Sequence, residues 1–162
     1  RYARLFYLLK YLFMIQFFAY GSLMDLDFVT ALGVRYEEPC SGKLIDFDFQ
    51  INVRNNSKTE FGYANVIKKK NCFVEGVLMK IPEKDFFLLD SYEGYPGLYS
   101  RSKLKIILTE NDKTSTAWVY IGEPSCIVNQ NLKLSKIQKV RINNGFPFLS
   151  TGYQNKLLNL MF

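Results

Sequence analysis

The chain of 162 residues contains no histidine. That one absence removes Ser-His-Asp and Cys-His nucleophile machinery, and the His-containing zinc motifs with them. Acid–base chemistry near neutral pH must then come from a carboxylate, Tyr, Lys or Cys whose pKa has been adjusted. Cysteine is scarce: Cys40, Cys72 and Cys126 are widely spaced and form no CxxC pair. They read as reduced, buried small hydrophobes of a cytoplasmic protein, and a catalytic thiolate would lack an identifiable basic partner. Long apolar runs are also missing. The opening stretch "RYARLFYLLKYLF" is interrupted by Arg1, Arg4 and Lys10, so it falls short of the roughly 20 apolar residues of a membrane span. No small-residue cleavage site follows before the first core strand, as a signal peptide would need. Met14 makes a natural start for a single domain over residues 14–162. Residues 1–13 are then an extension: an upstream translated segment or an amphipathic surface piece.

What is present points to a packed globular core. Hydrophobic residues make up 48% of the chain, which excludes a disordered class and suits one domain of this length. Phe and Tyr, 14 and 11 of them, can line a pocket with rings or simply fill a core. The net charge of +6 raises nucleic acid as a partner, but the cations are scattered. Their one run, Lys68–Lys70, sits where a hairpin is expected to turn and reads as a solvated loop. No nucleic-acid partner is expected, and the chain is expected to be a monomer or homodimer.

Periodicity outlines the elements. "MIQFFAY" (14–20) is a short apolar run expected to form a buried strand. Gly21 and Ser22 break it. Ser22 reads as an N-cap with Asp25 as its capping-box partner; Met24, Phe28 and Leu32 then recur at helical spacing until Gly33. From Lys43 to Val53 the period is two, with Ile45, Phe47, Phe49, Ile51 and Val53 on one face and Asp46, Asp48, Gln50 and Asn52 on the other. "FGYANVIKK" and "CFVEGVLMKI" predict a hairpin turning at Lys69–Asn71. Pro82 opens a short helix with Phe86, Leu89 and Asp90 along one side. "KLKIILTE" and "STAWVYIG" predict a second hairpin, and residues 132–142 and 150–161 two helices around a Gly145–Pro147 break. The expected fold class is mixed α/β, with a small curled, barrel-like sheet flanked by helices.

Chemistry concentrates in "LLDSYEGYPGLYSR" (88–101). Asp90 and Glu93 end a helix, Gly94 follows, and Tyr92, Tyr95, Leu98 and Tyr99 crowd around. Glu before a C-terminal glycine also ends ordinary helices. A carboxylate desolvated by rings, however, has a raised pKa and can shuttle protons near pH 7. "AYGSLMD" adds a second feature: a turn entering a helix presents free N–H groups that can hold a carboxylate.

These stretches occur together in a known order. "FFAYGSL", "VEGVLMKI", "LDSYEGYPGLY", "AWVYIG" and "NNGFPFLSTGYQNKL" resemble the γ-glutamyl cyclotransferase family, over about residues 14–160. The resemblance implies a small barrel and a reaction that turns a γ-glutamyl amide into 5-oxoproline and a free amine, without cofactor or metal. It implies Glu93 as the catalytic acid–base, Tyr20, Gly21, Ser22 and Leu23 as the substrate-holding loop, and Tyr99 and Tyr120 as further pocket residues. Leu23 stands where many members carry asparagine, which implies one side-chain polar contact fewer. The alternative is a binding module that keeps the pocket for an amino-acid-like ligand without turning it over. Tyr20, Tyr99 and Tyr120 can also be read as core aromatics.

Overall fold

A computed structural model describes residues 2–5 and 13–162; the expected extension at 1–13 lies mostly outside the described residues. Five strands close into a barrel in the order β1-β3-β2-β4-β5. They are β1 (Met14–Ala19), β2 (Glu37–Arg54), β3 (Gly62–Pro82), β4 (Tyr99–Leu108) and β5 (Thr114–Gly122). β1 runs antiparallel to β3, from Met14 opposite Pro82 to Ala19 opposite Val77. It closes the barrel in parallel against β5, with Phe17 opposite Trp118. A strand segment with neighbours on both sides and cover on both faces reads as a near-continuous apolar run. Phe17, Phe18 and Ala19 are accordingly all buried.

β1 and β3 approach unusually closely. A Cβ on Gly76 would lie 2.2 Å from the Ala19 carbonyl oxygen and 2.7 Å from the Phe18 ring. Only glycine fits there, because a backbone oxygen cannot swing aside as a side chain can. Next to it, the buried Glu75 carboxylate accepts from the Ser150 backbone N–H at 2.7 Å and from the Ser150 hydroxyl at 2.8 Å. Those bonds fasten the start of the C-terminal helix to the barrel wall.

Several expected elements are redrawn. The hairpin at Lys69–Asn71 does not exist: β3 runs unbroken from Gly62 to Pro82. Both of its halves pair with β2, Val74 with Leu44 and Ile67 with Asp48. Residues 69–72, between the pairs Phe47–Lys68 and Ile45–Phe73, are extruded as a bulge, with Asn71 at φ 64° and its N–H donating to Asp46 Oδ1 at 3.0 Å. Asp46 is itself left-handed, at φ 61°. The bulge reverses the alternation of β2 there: Leu44 is buried and Ile45 is 42% exposed, while Phe47, Phe49, Ile51 and Val53 face the core. A second register shift between Ile51 and Val53 buries Asn52, expected on the polar face. Asn52 Oδ1 accepts from Asn65 Nδ2 at 2.9 Å, and Asn65 Oδ1 accepts from the Gly122 N–H at 2.8 Å. Buried amides thus join β2, β3 and β5. Cys126 is buried, but Cys40 and Cys72 are only partly so, both lying beside β2–β3 register irregularities.

Outside the barrel pack the helices α1 (Leu26–Ala31), α2 (Phe86–Glu93), α3 (Lys136–Asn144) and α4 (Thr151–Met161). Pro82 ends β3 rather than opening a helix; a 3-10 turn over Glu83–Asp85 leads into α2. α3 starts later than periodicity suggests, because Leu132 and Leu134 are buried against the barrel and the Leu132 N–H donates to the Ile51 carbonyl at 2.7 Å. Ser135 and Ser150 cap α3 and α4. Among the described residues no helix is long and apolar enough to cross a membrane. The "KLKIILTE"–"STAWVYIG" hairpin forms as expected, with Lys103 opposite Trp118.

Two glycine substitutions are expected to move stability in opposite directions. Gly76→Ala must displace the Ala19 carbonyl and should cost about 2–4 kcal/mol as overpacking. Gly152→Ala lies in α4 with nothing within 4 Å of the new Cβ, and should gain about 0.5–1 kcal/mol from helix propensity. Chemical denaturation of the two variants beside wild type measures both.

Candidate active site

β1 ends inside the barrel mouth, and the chain leaves it through Tyr20 and Gly21. Gly21 tolerates little else, since a Cβ there would meet the Ala64 methyl at 3.1 Å. Ser22–Met24 then form a single 3-10 turn. This alters the expected cap. Ser22 does not cap α1; Asp25 does, its Oδ1 accepting from the Phe28 N–H at 3.1 Å. Its Oδ2 accepts from Asn144 Nδ2 at 2.8 Å, so the turn is tied to α3 as well. Met24 packs against Gly145 so closely that a Cβ there would sit 2.4 Å from the Met24 Cβ. A 3-10 segment leaves its first N–H groups without helical partners, here those of Ser22 and Leu23.

α2 delivers the acids. Its apolar face, Phe86 and Leu89, is buried. Gly94 stops the helix in the left-handed region at φ 67°, directly after Glu93. The two carboxylates, one helical turn apart, have different surroundings. Asp90 Oδ1 accepts from the Tyr120 hydroxyl at 2.8 Å and Oδ2 lies 3.1 Å from Arg101 Nη1. The Arg101 guanidinium is in turn stacked 4.0 Å from the Phe86 ring centre and 4.5 Å from that of Tyr95. Glu93 forms no hydrogen bond or ion pair with another described residue, and it faces a cavity. Burial pushes its pKa up from 4.5 to about 8.

That cavity, of about 210 Å³, gathers the seven residues that the resemblance implies: Tyr20, Gly21, Ser22, Leu23, Glu93, Tyr99 and Tyr120. The three tyrosines are both wall and core. Each is buried, and each hydroxyl is committed to a protein acceptor. Tyr20 donates to the Tyr120 carbonyl at 2.7 Å, Tyr99 to the Ala64 carbonyl at 2.5 Å, and Tyr120 to Asp90. Burial, reinforced by the Glu93 charge, raises the pKa of Tyr20 and Tyr99 far above the ordinary phenol value. Burial and the bond to Asp90 do the same for Tyr120. All three therefore stay neutral, and each phenol oxygen keeps a lone pair with which to accept an N–H. Leu23, 3% exposed, adds an apolar wall.

Other residues also line it, among them Tyr63 and Ala64 from β3, Gln138 from α3, and Tyr92 and Leu98 from either side of Glu93. Tyr63 and Gln138 escaped the sequence reading. Gln138 sits in a polar helix with nothing to mark it, and Tyr63 lies in a strand whose pairing was misassigned. The Asp90–Arg101 pair escaped too, because nothing local links a helix residue with one on β4. Chemically, the arrangement offers an uncommitted carboxyl able to take and return a proton, close to neutral phenols and a turn with free N–H groups.

Known proteins share this framework. A solved gamma-glutamyl cyclotransferase structure superposes with a TM-score of 0.74 over 90% of this chain and 86% of its own, at 24% identity. The YkqA protein of Bacillus subtilis superposes at 0.80 with 20% identity, over 91% of this chain and 54% of the longer YkqA chain. In sequence, a Methanocaldococcus jannaschii protein with an unproven assignment as a gamma-glutamylcyclotransferase is 33% identical over 69 residues. That match spans 40% of this chain and 57% of the archaeal one. The family model for gamma-glutamyl cyclotransferase, AIG2-like proteins matches residues 17–141, from the buried middle of β1 to the last third of α3. The chain therefore belongs to the gamma-glutamyl cyclotransferase, AIG2-like family.

Proposed function

We propose that the protein converts a small γ-glutamyl amide into 5-oxoproline and a free amine, with Glu93 as the proton shuttle. The observation that carries this reading is the unpartnered Glu93 carboxyl in the cavity, beside an Asp90 that is fully engaged elsewhere. Family membership supports it.

The substrate's own α-amine is the nucleophile. It attacks the γ-carbonyl carbon, a C–N bond closes the five-membered ring, and the C–N bond to the leaving amine breaks. The α-ammonium loses two protons on its way to the lactam N–H. The Glu93 carboxylate takes the first before attack and, as the acid, returns it to the leaving nitrogen when the C–N bond breaks. The second leaves the ring nitrogen after attack and passes by the same carboxylate to the released amine, which departs as an ammonium. A single group serves both steps, so a protein without histidine needs no second acid–base. Binding the α-carboxylate at the Gly21–Leu23 turn folds the substrate into the ring-closing conformer. Such preorganisation is worth up to about 7–11 kcal/mol in well-oriented intramolecular reactions. In this reading the phenol oxygens of Tyr99 and Tyr120 accept from the α-ammonium and bring its proton towards Glu93.

Replacing Glu93 by Gln should abolish 5-oxoproline formation from γ-glutamyl amino acids, with a fall in kcat of at least about a thousandfold, and leave the fold intact. Wild-type turnover in that variant would remove Glu93 from the mechanism. A wild-type protein that binds γ-glutamyl compounds calorimetrically but yields no product would establish a binding module instead.

The raised pKa also sets two pH dependences. In the free protein Glu93 must lose a proton before it can act as base, so kcat/KM should rise with pH and level off near the folded value of about 8. The acid limb of kcat should lie lower, because a bound ammonium favours the carboxylate. An acid limb of kcat/KM centred near 4–5 would contradict the burial of Glu93. For stability, a carboxyl whose folded pKa exceeds its unfolded pKa binds its proton more tightly when folded. Its contribution is therefore complete below about 4.5 and lost as pH rises to about 8. Glu93→Gln does not titrate, so its Tm advantage over wild type should grow between those pH values and then stay constant. Thermal melts of both proteins from pH 4.5 to 9 check this.

A further inference from the structure

The turn at Ser22 is connected to α3 through one phenol, and the direction of the hydrogen bonds at that phenol follows from its partners. The Tyr92 hydroxyl receives Gln138 Nε2 at 3.2 Å and Arg141 Nη1 at 3.4 Å, and it lies 2.8 Å from Ser22 Oγ. A guanidinium has five N–H donors and no acceptor, and an amide nitrogen likewise only donates. Tyr92 therefore cannot send its proton towards α3. Among the described residues Ser22 Oγ is the acceptor that remains, and this assigns Tyr92 as the donor to Ser22.

A serine hydroxyl has one proton and otherwise rotates to suit its surroundings. Here it already accepts from Tyr92, and no acceptor for its own proton is found among the described residues. Ser22 is buried at 8% exposure and lines the cavity. Its proton is left to an acceptor inside that cavity. The donors that impose this are held firmly. The Arg141 guanidinium is stacked 3.5 Å from the Phe28 ring centre, and Phe28 meets Tyr92 edge-on at 5.0 Å between ring centres. A cation donating to a phenol also polarises it, which strengthens the bond the phenol makes onward.

We propose that Gln138 and Arg141 are positioning residues that act through Tyr92 to make Ser22 an obligate donor into the cavity, so that α3 takes part in holding the substrate's α-carboxylate. This rests on the cyclotransferase reading given above. The chain of donors runs from the surface inward: Arg141 and Gln138 to Tyr92, Tyr92 to Ser22, Ser22 to the carboxylate. Neither α3 residue touches the reacting atoms. Removing either lets Tyr92 and Ser22 reorient. The N–H groups of the turn still hold the carboxylate in the ring-closing conformer, so what is lost is one hydrogen bond that is the same in ground and transition states and is read in KM.

The test uses γ-L-glutamyl-L-alanine and its analogue lacking the α-carboxylate, 4-aminobutyryl-L-alanine. Ser22→Ala should raise KM for the first about tenfold, the loss of a hydrogen bond to a charged group, with kcat changed less than about twofold. The double variant Gln138→Leu/Arg141→Met should raise KM several-fold in the same pattern. Adding Ser22→Ala to it should raise KM no further than Ser22→Ala alone, since both act on one hydroxyl. Arg141→Lys should recover part of the loss. The analogue has no carboxylate for Ser22 to hold, so its calorimetric Kd should differ less than about twofold among these proteins. Additive effects, or equal losses with the analogue, would overturn the relay while leaving the cyclotransferase reading intact. If wild type releases no 5-oxoproline, that reading fails, and the same coupling is read from calorimetric Kd values for γ-L-glutamyl-L-alanine; absence of binding as well would overturn both.

Discussion

The Ala19 carbonyl rests against Gly76 with no room for a methyl group between them, and the geometry of the site depends on that contact. It sets how deep β1 lies in the barrel, and therefore where Tyr20, Gly21 and Ser22 emerge. Two residues further along the chain the backbone must turn, and Gly21 fits the turn against Ala64. On the other strand the neighbour of Gly76 is Glu75, whose carboxylate holds Ser150 and hence α4. One close backbone approach thus fixes the turn on one side and the outer helix on the other. A barrel that closes through a single short parallel contact, Phe17 opposite Trp118, needs such a fixed strand.

Around this frame the two acids of α2 divide their work by environment. Asp90 is neutralised by Arg101 and holds the Tyr120 hydroxyl, and Tyr120 in turn receives Tyr20 at its carbonyl. That arrangement spends one carboxylate on fixing the walls. Glu93 has no such partners and keeps its proton to unusually high pH. A buried, unpaired carboxyl costs stability whenever it ionises. The fold tolerates it because the rest of the wall, with its phenols committed and its amides paired, leaves little else unsatisfied.

The sequence carried the local features well and the long-range ones poorly. The apolar run of β1, the stop at Gly33, the hairpin of β4 and β5 and the helix over 151–161 follow from periodicity and turn chemistry within a few residues. The seven residues implied by the ordered motifs all line the cavity. What failed shares one cause. "KKKN" is as good a bulge as a turn, and only pairing of both halves of β3 with β2 decides which it is. Ile45 and Asn52 were misplaced because a bulge shifts the phase of every residue beyond it. The cap went to Ser22 rather than Asp25 because a 3-10 turn and the start of an α-helix look alike in sequence. Gln138 and Arg101 were not legible, since their partners lie 46 and 11 residues away at Tyr92 and Asp90.

Glu93 is the last residue of α2, where Gly94 reverses the chain. Peptide dipoles aligned along a helix leave a partial negative charge at that end. A carboxylate on that last turn lies near the negative pole, which disfavours its ionisation in the same direction as burial. The same residue moved to the first turn of α2 would meet the positive pole and surrender its proton readily. The glycine that merely ends the helix thus also decides which pole the acid occupies, and a shift of the stop by one turn would put a different electrostatic field on the proton.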